Sequence, residues 1–448
     1  MKVVKFGGSS LADGPHLAQV IQIMVQDPER QVLVVSAPGK RTSDDTKITD
    51  LLIQYANAPT DPNIQNNIIN RYWEIAAYFD LPAEKFSRIS DGVIALATQQ
   101  FSTSAYQLAA FKAHGEKLNA MLIALILNHL GKPAIYADPK ALGIMVTGSA
   151  AAASVSEFTY QNISRFPFKN EYLVVPGFYG YDSQNQIATF ARGGSDITGS
   201  IVARGLQADL YENFTDVDAI YSANPNIVAN PQPISTMSYK EMRELAYAGF
   251  QVFNDEAIIP AIQGNVRINV KNTNHPEAPG TLIVPDQDLV IEHEITGVAN
   301  SNRFAALYLH RYLLNKEAGF TLKILQILFK YDVSYEHMPS GIDDLTIIFD
   351  KTQLTAETAA NIMQEIQDAV KPDVLEWLDD YAIIMVVGEG MRAKVGVVDH
   401  IIAPLAANNI GVQMLNQGAS RISVMIGVKQ ELAEAAVRAI YAANFPAN

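Results

Sequence analysis

Apolar positions along the first two-thirds of the chain alternate between short continuous runs and helical spacing. Residues 3–6 form a compact apolar run ending at Gly7-Gly8, and residues 32–35 form a second, as expected of parallel strands buried on both faces. Between them Leu17, Val20, Ile21 and Met24 recur at i, i+3, i+4 and i+7, which predicts an amphipathic helix. The rhythm returns as a helix over 116–130 stopped by Gly131, strands near 173–175, 187–190 and 209–214, and a helix over 197–206. Such alternation predicts an α/β fold, an open and mainly parallel sheet sandwiched by helices. Residues 60–104 carry weaker punctuation and read as a mostly helical insertion without a legible role.

Around 283–297 the pattern loosens through Pro285 and several acidic residues, as in a linker. Beyond it the sequence repeats. Adding 77 to a position carries Gly319 onto Gly396, Ile324 onto Ile401, Leu328 onto Leu405, Val333 onto Ile410 and Gly341 onto Gly418. Leu345, Ile347 and Phe349 fall likewise on Ile422, Val424 and Ile426. That period is too long for a solenoid unit, so two copies of one small α+β domain are expected. Each copy reads glycine, helix, strand, glycine turn, strand, helix.

Composition narrows the function. About half of the 448 residues are hydrophobic and 18% are charged, which predicts a compact globular protein of two to four domains. The formal charge of −14 argues against a binder of nucleic acid or of anionic membranes. With no cysteine there is no disulfide, thiolate metal site or cysteine nucleophile. The start reaches glycine too soon for a signal peptide, and the longest apolar run is too short to span a membrane, so a cytoplasmic protein is expected.

An acidic protein that holds an anionic ligand needs local cations, and two turns offer them. Lys5-Phe6-Gly7-Gly8-Ser9-Ser10 puts a lysine and two glycines at a strand tip, where backbone N–H groups and a following helix N-terminus favour an anion. Ala191-Arg192-Gly193-Gly194-Ser195-Asp196 repeats the device before a helix. Each could be a plain tight turn, with Ser195 or Asp196 as a helix cap. Two such turns, each with a cation, point instead to one phosphate-holding crevice at the carboxyl ends of the strands. Thr215-Asp216-Val217-Asp218-Ala219-Ile220-Tyr221 follows a third strand and reads either as a local Asx turn or as a nucleoside-contacting loop.

These segments, in this order, resemble the aspartate kinases of the amino-acid kinase superfamily. K-F-G-G-[ST]-S stands as Lys5 to Ser10, G-E-x-x-[SN] as Gly115 to Asn119, R-G-G-S-D as Arg192 to Asp196, and T-D-V-x-x-I-Y as Thr215 to Tyr221. The closing N-x-x-P-x-x-x-G-T stretch is Asn272 to Thr281, and the 77-residue repeat stands where the family carries tandem ACT domains. The resemblance implies a catalytic domain over 1–285, a linker over 286–298, and ferredoxin-like ACT domains over 299–378 (completed by the C-terminal segment) and 379–448. It implies ATP-dependent phosphorylation of the side-chain carboxylate of L-aspartate, with Mg²⁺ carried by ATP rather than by protein side chains. Lys5 and Asp196 would be catalytic. Lys5, Gly7, Gly8, Ser9, Gly193, Gly194, Ser195, Thr215, Asp216 and Tyr221 would bind ATP. Glu116, Arg192, Thr49 and, more weakly, Ser36 would bind aspartate. Lysine or threonine would act as feedback effector near Gly319, Phe320, Glu336, Ser340 and Gly341, in a homodimer formed through the ACT domains.

The chain departs from the family pattern at Asn226, where an arginine is usual, and at Gln251 and Asn254, where lysine and histidine are usual. Lys40, Arg41 or Lys271 would be the candidates to compensate. Two other readings compete: a sister kinase of the same superfamily acting on another acceptor, and a non-catalytic amino-acid sensor built on a degenerate kinase. Intact Lys5, Arg192 and Asp196 weigh against the sensor.

Overall fold

The structure is a computed structural model and describes residues 1–191, 193–250 and 256–445. Arg192, Gln251 and Asn254 therefore lie outside the described residues. Two compact units result. The first holds 1–220, 233–246 and the described part of 251–290; the second takes 221–232, 247–250 and the chain from 291 onward. The expected single break at 286–298 thus misses two segments. Residues 221–232 join the second unit because Ala223 and Val228 enter its core, and because the Tyr441 phenol oxygen accepts from Gln232 N at 2.8 Å.

In the first unit eight strands form one sheet. Their order is Thr236–Ser238, Thr281–Val284, Arg267–Asn272, Leu210–Thr215, Lys2–Phe6, Arg30–Val35, Tyr172–Pro176 and Ala134–Tyr136. Only Arg267–Asn272 and Thr281–Val284 pair antiparallel, so the sheet is mainly parallel as expected. Val3, Val4, Val32, Val34 and Val35 are fully buried, which is why these strands read as unbroken apolar runs. Phe6 lies level with Val35 and Phe214, Val35 with Pro176, and Thr215 with Asn272. The turns that leave these strands therefore share one edge of the sheet.

Three elements differ from expectation. Residues 187–190 do not join the parallel sheet; Ile187–Thr189 pairs antiparallel with Tyr179–Tyr181 in a separate hairpin. The helix expected over 116–130 spans Ser104–His129, because Thr103 caps it by accepting from Tyr106 N at 3.3 Å. No α-helix follows Gly7-Gly8 directly. A single 3₁₀ turn, Ser9–Leu11, comes first, and the helix Gly14–Gln26 starts later with Asp13 as its cap.

The second unit is a five-stranded antiparallel sheet. Its order is Asp344–Asp350, Gly297–His310, Val374–Val387, Ser423–Lys429 and Met414–Asn416. The repeat holds in detail: Gly319 and Gly396 stand at the N-caps of Phe320–Lys330 and Val397–Ala407 with φ of 78° and 90°. Ile324, Leu328, Leu345, Ile347 and Phe349 are buried, and so are their partners at +77. Two cores form. One gathers residues from Leu307 to Trp377; the other joins Ile295 and Val298 to residues 382–445. The C-terminal helix Ala433–Asn444 thus completes the second copy, not the first as expected. Among the described residues no helix is long and apolar enough to cross a membrane.

Candidate active site

The strand Lys2–Phe6 carries Lys5 to the carboxyl edge of the first unit's sheet, where it is 8% exposed. Its Nζ lies 2.6 Å from Asp196 Oδ1. Asp196 is set by the helix Gly194–Gly205, whose N-cap Gly193 has φ 73°, in the left-handed region that favours glycine. Asn213 Nδ2 donates to Asp196 Oδ1 at 3.1 Å, and the Tyr211 hydroxyl donates to the Asp196 carbonyl at 3.2 Å. The acid is thereby fixed from its own helix and from the neighbouring strand.

Lys5 and Asp196 line a cavity of about 750 Å³ together with Ser36, Lys47, Thr49, Lys112, Glu116, Phe178, Phe190, Gly193, Gly194 and Ser195. The four expected aspartate ligands include three that meet here: Ser36, Thr49 and Glu116. The fourth, Arg192, lies outside the described residues. Gly7, Gly8 and Ser9 follow Lys5 beyond the end of its strand and are not among the residues that line the cavity. A Cβ on Gly7 would find only Lys5 Nζ, 3.8 Å away, so its flank is open beside a cation. Gly8 has no such room: a Cβ there would stand 2.7 Å from the Ala37 carbonyl, and Gly39 N donates to Gly8 O at 2.8 Å.

Glu116 is not the solvated helix residue its sequence context suggests. It is 6% exposed, accepts from the backbone of Ala37, and its Oε2 has no hydrogen-bond partner among the described residues. Burial pushes its carboxyl up to about 8, against a lesser pull downward from that backbone bond and from Lys112. A carboxyl held this way suits a cation brought by a ligand.

The role of the 60–104 insertion becomes visible at this site. It forms the helices Pro62–Tyr78 and Ala83–Leu96. From the first, buried Arg71 donates to Gly39 O and Thr46 O, both at 2.9 Å, and pairs with Asp45 at 2.9 Å. Tyr72 donates to Gly115 O at 2.8 Å. The insertion thus clamps the loop 36–47 and the helical turn that bears Glu116. Asp45 sits well below the usual carboxylate range, chiefly through the Arg41 side chain and also through Arg71.

Of the expected nucleoside contacts, Thr215 and Asp216 end the strand Leu210–Thr215, with Thr215 Oγ1 bonded to Asp216 Oδ1 at 3.1 Å. Asn272 donates to Asp218 at 2.6 Å, and His275 stands 2.8 Å from the same oxygen, which lowers the Asp218 carboxyl and raises the imidazole. Tyr221 belongs to the second unit. Asn224 Oδ1 accepts from Asn226 N at 2.9 Å, an Asx turn. The cations proposed to compensate do not line the cavity: Arg41 pairs with Asp45 and Glu74, Lys40 bonds Ser43 O at 3.1 Å, and Lys271 is buried on its strand. Besides Lys5, the cations that line it are Lys47 and Lys112, which sequence reasoning does not single out. Lys112 stands four residues before Glu116 on the helix Ser104–His129, and that spacing is the signal that could have found it; Lys47, the extended residue before the helix Ile48–Asn57, carries no such signal.

In the second unit Gly319 is open around its α-carbon, whereas Phe320 is 2% exposed and belongs to the core. Glu336 accepts from the Tyr247 hydroxyl at 2.6 Å. Ser340 bridges to Leu345, and Gly341 N donates to Asp344 O at 2.8 Å.

A lysine–aspartate pair between two glycine turns, facing a buried carboxyl across a cavity at the carboxyl edge of a parallel sheet, defines an enzyme that brings anionic reactants together. The model of the amino acid kinase family matches residues 1–272, and that of an ACT domain matches 384–443. Aspartokinase 3 of Bacillus subtilis is 44% identical over 445 residues, with 98% of each chain covered. An aspartokinase of Helicobacter pylori is 30% identical over 343 residues, covering 73% of this chain and 81% of its own. The crystal structure of Clostridium acetobutylicum aspartate kinase superposes with a TM-score of 0.84 at 37% identity, over 99% of both chains. Aspartokinase III of Escherichia coli, solved with aspartate and ADP, shares the fold with a TM-score of 0.78 at 22% identity. The chain belongs to the aspartokinases of the amino acid kinase family. It catalyses ATP-dependent phosphorylation of aspartate.

Proposed function

We propose that the cavity lined by Lys5, Asp196 and Glu116 is where the side-chain carboxylate of L-aspartate meets the γ-phosphate of ATP. The observation that carries this reading is the Lys5–Asp196 pair at 2.6 Å in the lining of one cavity that also takes in Glu116, whose Oε2 has no hydrogen-bond partner among the described residues. The acceptor carboxylate is ionised at neutral pH, so no base is needed to make the nucleophile. The obstacle is repulsion between two anions, and phosphoryl transfer is promoted chiefly by positioning and by neutralising charge.

In this reading Lys5 and the backbone at Gly7, Gly8, Ser9, Gly193, Gly194 and Ser195 hold the phosphates, and Thr215 and Asp216 hold the nucleoside. The open flank of Gly7 beside Lys5 fits a phosphate oxygen. Mg²⁺ would arrive on ATP and add its charge to that of Lys5, while Asp196 positions the Lys5 ammonium. Glu116 takes the substrate ammonium, Arg192 a carboxylate, and Thr49 and Ser36 complete the pocket. A lone pair of the aspartate side-chain oxygen forms the new O–P bond. The bond from the γ-phosphorus to its bridging oxygen breaks, and its electrons leave on ADP.

An aspartokinase III of E. coli is solved with lysine and aspartate; for this chain we propose an amino-acid effector of the lysine or threonine class in the second unit, around Gly319, Glu336, Ser340 and Gly341, with Phe320 as its core support. We further infer a homodimer formed through the tandem ACT domains, working in the cytoplasm. The test is ADP release with Mg-ATP and L-aspartate, L-glutamate or no acceptor, with the product trapped by hydroxylamine as the hydroxamate. Release and trapping with aspartate alone is the expected result. Release independent of acceptor would overturn the site reading, and no release at all would favour the sensor.

A further inference from the structure

Asp196 Oδ1 serves two donors at once. The Lys5 ammonium stands 2.6 Å away, and Asn213 Nδ2 donates to the same oxygen at 3.1 Å. The sheet sets Asn213 for this. In the strand Leu210–Thr215 it lies level with Lys5 on one side and with Val270 on the other. The direction of its amide is fixed by chemistry, because an ionised carboxylate only accepts and only the NH₂ end donates.

Asn213 is an unusual residue for its place. It is 2% exposed in a strand where Tyr211 and Phe214 are fully buried, beside an equally buried Val270. With Nδ2 committed to Asp196, its Oδ1 has no hydrogen-bond partner among the described residues. A buried acceptor without a donor costs folding free energy, and leucine, of nearly the same shape, would avoid that cost. In the empty site Lys5 already meets the charge of Asp196 at the same oxygen, so the amide is not needed there for neutralisation. The need arises when Lys5 is drawn elsewhere.

We propose that Asn213 is a positioning residue for phosphoryl transfer, whose amide keeps Asp196 in place while the ATP phosphates take up the Lys5 ammonium. This rests on the reading that Lys5 binds phosphate in this cavity. A lysine ammonium is a compact charge with three rotatable donors, so it turns readily from a carboxylate to a phosphate oxygen. Asp196 stands in the first turn of Gly194–Gly205, directly after the phosphate-side glycines. Left without a partner, its carboxylate would be free to turn among the arriving anions. Asn213 is neutral, so it holds the acid without adding charge to the site.

The test compares Asn213→Leu, Asn213→Asp and the exchanged pair, Asp196→Asn with Asn213→Asp, in the full chain. Asn213→Leu removes the donor and the stranded carbonyl together, so the melting temperature without substrate should hold or rise. Its kcat should fall roughly 10- to 100-fold, with both KM values unchanged. Asn213→Asp sets a second carboxylate against Asp196 and should lose more turnover than the leucine variant. The exchanged pair restores one acid and one amide and should recover about tenfold of that loss, which a merely structural role would not produce. Native kcat in Asn213→Leu, or a fall in kcat matched by a lowered melting temperature, refutes the role. If that variant does not fold, the exchanged pair decides, and turnover no better than that of Asn213→Asp refutes it. Lys5→Met separates this proposal from the reading beneath it. If Lys5→Met also keeps native kcat, the cavity is not the phosphate site; if it alone loses turnover, only the positioning role of Asn213 falls.

Discussion

Glu116→Gln tests the electrostatics of the site without changing its shape. In the folded protein the carboxyl titrates at about 8, against an ordinary 4.5, because burial disfavours the anion. At about 1.4 kcal/mol per pH unit, the gap corresponds to about 5 kcal/mol of folding free energy. The sign follows from which state binds the proton more tightly. Here the folded state does, so the contribution is fully present below pH 4.5, declines as pH rises, and is gone above about 8. Roughly 3 kcal/mol of it falls between pH 6 and 8. Glutamine cannot ionise, so the variant should lack that decline. Without substrate, the native protein should lose on the order of 5 °C more than the variant between pH 6 and 8.5. Aspartate brings an ammonium that favours the anion, so its binding at pH 7 should release close to one proton, read by calorimetry in buffers of different ionisation enthalpy. The variant should release none. Equal pH dependence of melting in the two proteins, with no proton released on binding, would refute the account of Glu116.

Other outcomes follow from the same contacts. Lys5→Met should lower kcat by about 10²- to 10³-fold, as expected for loss of one charge-stabilising group, with a near-native circular dichroism spectrum and a lowered melting temperature because Asp196 loses its partner. Arg71→Met removes bonds to Gly39, Thr46 and Asp45 in a buried place and should cost about 3 kcal/mol in denaturant titration, with a raised aspartate KM as the loop loosens. Gly8→Ala drives a methyl to 2.7 Å from the Ala37 carbonyl, with backbone on both sides, and should cost about 1–3 kcal/mol and depress turnover. Gly319→Ala meets no neighbour, so its expected cost of about 1 kcal/mol is backbone strain alone and should be matched by Gly396→Ala.

What the sequence made legible was whatever is written locally. Continuous valine runs marked the parallel strands, because burial on both faces leaves no alternation. The two glycine turns marked the site, since a close approach such as Gly8 to Ala37 leaves a lasting trace in residue type. What escaped depends on residues distant in sequence. Arg71 is unremarkable in its own helix and gains meaning only against carbonyls 25 and 32 residues away. Lys112 looks like a solvated lysine until Phe178 is set beneath it. The hairpin of Tyr179–Tyr181 with Ile187–Thr189 shows the same limit, because a three-residue apolar run does not reveal which sheet it joins.

The repeat carries this limit to the scale of a domain. Its 77-residue period was correct, yet cutting the chain between copies divides the wrong object. Gly297–His310 and Val374–Val387 are each fourteen residues long and pair along nearly their whole length. The half from 297 to 301 lies beside residues 383–387 and the second core, while the half from 304 to 310 lies beside Asp344–Asp350 and the first. Both cores thus share two continuous strands, and register slips are confined to the midpoint, between Ser301 and Ala306. A sheet joined in this way should exchange its amide hydrogens as one cooperative body, so the amides of Val374–Val387 that bond to Gly297–His310 should be protected alike on both sides of Tyr381, even though only Tyr381–Val387 also pairs with Ser423–Lys429. Early exchange of one half alone would mean that the copies are independent modules, and that an effector bound in the first could not act on the second through the sheet.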